Sequence, residues 1–185
     1  MIKRIIEKRS ELVYLRDENG DTPLYYAVDI GYVDGFRMLL KNSLPKLDQT
    51  ALERNKKGHL PLHLACKRGN LEMVKEFFKP EWPINPYVLL NQKGQNILHI
   101  AAKNGRSNVV QYLVKKCNVE HILSINQKDD DGNTPLHLAS KNLFPEVIYF
   151  ITRLRINMNL KNKDGLTARD IIKTFELPVV LHERK

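Results

Sequence analysis

An eight-residue element recurs in register along this chain, and a sequence built that way folds as a stack of like units rather than around one closed core. The four copies are Gly20-Asp-Thr-Pro-Leu-Tyr-Tyr-Ala27, Gly58-His-Leu-Pro-Leu-His-Leu-Ala65, Gly94-Gln-Asn-Ile-Leu-His-Ile-Ala101 and Gly132-Asn-Thr-Pro-Leu-His-Leu-Ala139. A truncated fifth reads Gly165-Leu-Thr-Ala-Arg-Asp-Ile171. The glycines that open the copies are 38, 36, 38 and 33 residues apart. The additional residues of the longer steps fall between units, at Lys41 to Leu52, Lys79 to Leu90 and Asn118 to Lys128, where they lengthen loops without disturbing the stack.

Each repeated residue has a local task. The opening glycine takes φ > 0 at the tip of a hairpin. Thr caps the following helix through its hydroxyl, and Pro occupies the first helical position, where an N–H is not needed. Leu and Ala pack inward. A second glycine, Gly31, Gly69 or Gly105, ends this inner helix in the left-handed conformation. An outer helix follows, with apolar residues at offsets of three and four: Phe36-Leu39-Leu40, Val74-Phe77-Phe78, Val109-Val110-Leu113 and Val147-Ile148-Ile151.

The Thr-Pro-Leu-His element and its period resemble the ankyrin repeat. That resemblance implies an all-α solenoid of helix–turn–helix units, with hairpin-like loops and a concave face. The expected organisation is an N-terminal capping helix over 1–16, full repeats over 17–53, 54–90, 91–128 and 129–161, and a truncated repeat with a tail over 162–185. Ile2, Ile5, Ile6 and Leu12 carry outer-helix spacing and are expected to close the first end of the stack. Several positions depart from the pattern. Tyr25 stands where the motif has His, Leu60 where it has Thr, Asn96-Ile97 where it has Thr-Pro, and Leu143 where the helix-ending glycine belongs. Leu60 should cost its helix a cap, of order 1 kcal/mol.

Nothing in the pattern points to catalysis. His63, His99 and His137 recur one repeat apart, which is about 10 Å for packed helices and too far for shared coordination at about 2 Å per metal bond. They are expected to bond backbone groups and tie neighbouring repeats together. Asp129-Asp130-Asp131-Gly132 lacks the ligand spacing of a calcium loop and is expected to be solvated. Cys66 takes a small core position, and Cys117, beside Lys115 and Lys116, an ordinary surface one. Two cysteines without a CxxC pair suit a reducing compartment. No nucleophile triad or phosphate loop is visible, and neither a metal nor a cofactor is expected. The charged N-terminus does not resemble a signal peptide, and no apolar run approaches the length of a membrane span, so the chain as given reads as soluble.

A binding role is therefore expected, and charge indicates where. Thirty basic residues against twenty-one acidic ones give +9, spread unevenly. In the motif register the positions facing the concave side are acidic in the first repeat, at Glu18, Asp21 and Asp29. In the second they are basic, with Lys56, Lys57, His59, Lys67 and Arg68. Gln92, Lys93, Gln95, Lys103 and Asn104 keep the third basic, while Asp130, Asp131, Asn133, Lys141 and Asn142 leave the fourth mixed. A basic centre between less basic ends favours a protein partner with an acidic patch. A nucleic-acid groove would be basic throughout and interleaved with aromatics. A second candidate anchor is the insertion Lys79-Pro-Glu-Trp-Pro-Ile-Asn-Pro-Tyr87, with Trp82 and Tyr87 on a proline-stiffened loop.

Two junctions carry a narrower resemblance. Ile5-Ile6-Glu-Lys-Arg-Ser-Glu-Leu-Val-Tyr-Leu-Arg-Asp-Glu-Asn-Gly20 and Asn162-Lys-Asp-Gly-Leu-Thr-Ala-Arg-Asp-Ile171 are similar to the start and end of the array in the plant ankyrin–transmembrane family of the accelerated-cell-death type. The resemblance implies a cytosolic interaction domain in immune or stress signalling. It also implies a full-length protein at the plasma membrane, in which the array precedes membrane-spanning helices; a chain without them is then an excised domain, a soluble relative, or an array grafted into another receptor.

Overall fold

A computed structural model describes residues 10–43, 52–79, 89–116, 125–154 and 156–176. A short 3-10 helix, Ser10–Tyr14, leads into four helix pairs. These are α1 (Pro23–Asp29) with α2 (Val33–Ser43), α3 (Pro61–Arg68) with α4 (Leu71–Glu76), α5 (Ile97–Lys103) with α6 (Ser107–Lys116), and α7 (Pro135–Lys141) with α8 (Pro145–Thr152). A single helix, α9 (Ala168–Glu176), follows. Among the described residues there is no strand, only one isolated antiparallel bridge between Lys161 and Thr167.

The inner helices α1, α3, α5, α7 and α9 pack in series, the outer helices α2, α4, α6 and α8 form a second row, and each pair closes on itself. This is the expected all-α solenoid. The 3-10 helix lies on α1 and α2 and buries Val13. The described part of the expected capping segment, Ser10–Tyr14, is a 3-10 helix, and Ile2, Ile5 and Ile6 lie outside the described residues.

The core is the seam between the rows. Leu24, Leu62, Leu98 and Leu136 contribute from one side, and Phe36, Val74, Phe77, Val109, Val110, Leu113, Val147 and Ile151 from the other. Cys66 is fully buried there, and burial pushes its thiol pKa up, so it behaves as a small apolar residue. Cys117 lies outside the described residues.

Two glycines show why this register excludes side chains. At Gly132, φ is +75°, and a Cβ would sit 2.9 Å from the Lys163 nitrogen of the next hairpin. At Gly105, φ is +65°, and a Cβ would press 2.8 Å from the Phe144 ring. In the fourth repeat the equivalent of Gly105 is Leu143, at φ +52°, the one non-glycine residue with positive φ among those described. A left-handed conformation costs an L-residue about 1–2 kcal/mol, so the missing glycine is met by strain and not by a different turn.

Capping departs from expectation at the first helix of the series and keeps to it at the last inner helix that carries the motif Thr. Thr134 behaves as its motif requires, accepting from the His137 N–H. Thr22 does not: its hydroxyl is buried with no partner among the described residues. Thr134 Oγ1 meets His137 Nδ1 at 2.8 Å, whereas Tyr25 offers Thr22 no such acceptor.

Candidate functional site

The motif histidines do structural work. His63, His99 and His137 are buried at the third position of their helices. In each, Nδ1 accepts a backbone N–H from the residue preceding the helix: Leu60 at 3.0 Å, Asn96 at 3.3 Å and Thr134 at 3.2 Å. Nε2–H then donates at 3.0 Å toward the following hairpin, to the carbonyls of Leu89, Asn133 and Leu166. This fixes the neutral Nε2–H tautomer. Burial, the largest influence, lowers the pKa of His63 and of His99 to about 4, against the pull of the accepting carbonyls. Leu60 loses the side-chain cap but keeps the half that His63 supplies.

Tyr25 performs the same lateral task by another route. Its hydroxyl lies 2.7 Å from the Glu53 carbonyl and 2.6 Å from that of His59, on either side of the following hairpin tip, and its one proton serves either. The departure from the motif thus preserves the link.

A second ladder runs along the hairpin tips. Three residues before each tip glycine stands an Asp or Asn: Asp17, Asn55, Asn91, Asp129 and Asn162. Each folds its own tip by accepting two backbone N–H groups. Asp129 Oδ1, for example, takes those of Asp131 at 3.1 Å and Asn133 at 2.8 Å. From one unit to the next, the residue after the tip glycine bonds this Asx side chain. Asn55 Nδ2 donates to Asp21 (2.8 Å), Gln95 Nε2 to Asp129 (2.9 Å), and Asn162 Nδ2 to Asn133 (3.1 Å). Two expectations are corrected here. Asp129 is not solvated but buried at 6% exposure. Gln95 and Asn133 do not face solvent, because they are rungs of this ladder and are buried. The signal, Asp or Asn three residues before every tip glycine, stood in the sequence.

One rung is missing. His59 holds the same position as Asp21, Gln95 and Asn133, yet its ring makes no hydrogen bond among the described residues, and Asn91 Nδ2 turns to Gln95 Oε1 instead (3.2 Å). His59 borders two cavities on the face formed by hairpin tips and inner helices. One, of about 540 Å³, is also lined by Lys57, Lys67, Lys93 and Lys103. The other, of about 250 Å³, is lined by Asp21, Tyr26, Asp29 and Arg68 as well as by Lys57 and Lys67. Burial, then the charges of Lys67 and Lys57, hold the His59 pKa below its ordinary value.

The structure therefore brings together five of the nine residues singled out from the sequence: Lys57, His59, Lys67, Lys93 and Lys103. Arg68 lines only the second cavity, where its Nε donates to Asp29 at 2.8 Å, so the acidic first repeat already compensates it. Lys56 lines neither cavity. It sits at a hairpin tip with its N–H on the Asn19 carbonyl (2.9 Å) and its side chain against Gly20. Trp82 and Tyr87 lie outside the described residues. Among the described residues no group of three or more His, Cys, Asp or Glu side chains could hold a metal ion. Within the same residues no helix is long and apolar enough to cross a membrane.

Comparison with known proteins agrees with this architecture. Residues 46–122 and 84–162 match the family described as ankyrin repeats (3 copies), and residues 19–50 match the single ankyrin repeat. The protein ACCELERATED CELL DEATH 6 of Arabidopsis thaliana is 39% identical over 182 residues, covering 97% of this chain and 26% of that protein. An ankyrin repeat protein of Rickettsia bellii is 34% identical over 147 residues, 78% of this chain and 20% of its own length. The human transient receptor potential cation channel subfamily A member 1 is 30% identical over 164 residues, 87% of this chain and 13% of the channel. This chain thus spans about a quarter or less of each of these relatives. With two lateral hydrogen-bond ladders, paired helices in series and matched repeats over most of its length, the chain belongs to the ankyrin repeat family and is a repeat domain for protein–protein interaction.

Proposed function

We propose that this array binds a protein partner carrying an acidic segment, through the hairpin and inner-helix face of its second and third repeats. The observation that carries the reading is the single cavity shared by Lys57, His59, Lys67, Lys93 and Lys103, with no carboxylate in its lining. Charge of one sign around a concavity steers an oppositely charged partner and selects against like-charged ones. We assign the array to immune or stress signalling in a plant, on the cytosolic side of the plasma membrane. The support is the 39% identity to ACCELERATED CELL DEATH 6 over nearly the whole of this chain.

The test is proximity labelling in plant cells with the wild-type domain and with a variant in which Lys57, Lys67, Lys93 and Lys103 are replaced by Gln. Proteins labelled by the wild type and lost in the variant should be enriched in acidic segments. Identical labelling by the two would sink the reading. A second reading is favoured by the small share of its relatives that the chain covers, one of them a cation channel by name. In it, the array is the regulatory domain of a multi-pass membrane protein and couples partner binding to a membrane segment. Alkaline carbonate extraction of membranes holding the full-length gene product tests it: a protein with spanning helices of its own stays in the membrane, whereas release into the supernatant overturns this second reading.

A further inference from the structure

We propose that the cavity beside His59 is a seat for a phosphoryl group, carried on a side chain of the partner segment that the array binds. This rests on the reading that the inner face binds a protein, and it specifies what that face recognises.

Three observations lead there. The first is uncompensated charge. Arg37, Arg68, Lys75, Lys79 and Lys141 all lie within ion-pair range of carboxylates, whereas Lys57, Lys67, Lys93 and Lys103 pair with none among the described residues. Four ammonium groups around about 540 Å³ repel one another, and a compact dianion relieves that repulsion more fully than a carboxylate of single charge. A phosphorylated side chain carries about −1.5 to −2 at neutral pH, with three acceptor oxygens.

The second observation is the kind of cation. The lining holds lysines and no arginine. Arg68 is drawn off to Asp29, and Arg106 donates to the Lys67 carbonyl at 2.8 Å. Arginine forks favour planar carboxylates as well as phosphates, while lysines act as point charges that can surround a tetrahedral group.

The third is the missing rung. At the one junction where the tip ladder is interrupted, the sequence places an imidazole whose ring has no hydrogen-bond partner among the described residues and which borders both cavities. The other three units spend the same position on the scaffold. The neighbouring cavity, lined by Asp21 and Asp29 and by Tyr26, which is exposed at 52%, is unsuited to a continuous polyanion. It suits a peptide whose residues beside the phosphoryl group are apolar or basic.

Fluorescence anisotropy with the whole 185-residue chain tests this. The probe is a short peptide of Gly, Ser and Leu bearing one phosphoserine, set against the same peptide with Glu and with Ser at that position. The phosphopeptide should bind about tenfold tighter than the Glu peptide, through charge-assisted hydrogen bonds that a single carboxylate cannot match. Lys67→Gln with Lys93→Gln should remove most of that binding, and Lys115→Gln with Lys116→Gln should leave it unchanged. His59→Asp separates binding from folding. It gives Asn91 the partner that Asp21 gives Asn55, so the melting temperature should hold or rise while phosphopeptide binding is lost. If the phospho and Glu peptides bind equally and both depend on Lys67 and Lys93, the phosphoryl preference is overturned and the acidic-partner reading stands. If neither binds above the Ser peptide, both fall.

Discussion

Acidification should weaken this fold before its carboxylates begin to protonate, and His63 is the sharpest place to see it. In the folded state His63 is neutral, with Nδ1 taking the Leu60 N–H and Nε2–H given to Leu89. A proton added to Nδ1 would face the Leu60 N–H at 3.0 Å, and its charge would be buried. Its pKa is lowered to about 4 against about 6.5 in an unfolded chain. A group whose folded pKa is depressed in this way contributes stability above pH 6.5, and that stability is lost as pH falls toward 4. At about 1.4 kcal/mol per decade the full loss is about 3 kcal/mol, of which about 2 kcal/mol has gone by pH 5. His99 adds a loss in the same direction, softened because Asn96 Oδ1 lies 2.8 Å from its Nδ1 and can take up the new proton. Urea unfolding followed by circular dichroism at pH 7.5 and pH 5.0 should therefore show a fall of about 2–4 kcal/mol. His63→Gln keeps a donor and an acceptor but cannot titrate, and should reduce that fall by about 2 kcal/mol. Stability that changes by less than about 1 kcal/mol over this range, or a folded His63 titrating near 6.5 by NMR, would refute the reasoning.

Three further outcomes are expected from thermal or chemical melts. Thr134→Val should cost about 1 kcal/mol by removing a working cap, while Thr22→Val should cost nothing, because the Thr22 hydroxyl is buried without a partner. At position 143, Gly should be more stable than Ala by about 0.5–1 kcal/mol, the reverse of their usual order, since both lose the leucine contacts and only Gly relieves the φ of +52°. Gln95→Ala should cost about 1–2 kcal/mol by leaving buried Asp129 short of a donor, whereas His59→Ala should cost less, because no rung is lost there.

The repeat, the helix pairing and the lateral role of the histidines could all be read from the sequence, because each follows from motif residues that recur at the same place in successive units. What escaped reading lies between units. Tyr25 read only as a departure from the pattern because the motif names a residue, while the stack requires only a donor long enough to reach the following hairpin. Asp129 read as surface charge because its neighbours Asp130 and Asp131 are exposed, and period alone does not separate a buried acid from two solvated ones. Arg68 read as part of a binding surface because its partner Asp29 lies 39 residues earlier. Composition counts such a pair as charge, whereas the fold cancels it. The grouping of Lys57, Lys67, Lys93 and Lys103 around one cavity follows from register, but their isolation from carboxylates is a property of the assembled face.

The interrupted tip ladder also bears on mechanics. The cross-unit bonds described here join residues 26 to 39 positions apart, so tension on the two ends loads each junction in series. A spring of unequal coils opens at its softest coil, and the junction between His59 and Asn91 lacks a rung that its neighbours possess. The array should yield there first under force, and a ligand bridging Lys57 and Lys67 to Lys93 and Lys103 would stiffen the same junction. Occupancy of the binding face would then be felt as a change in compliance along the whole stack.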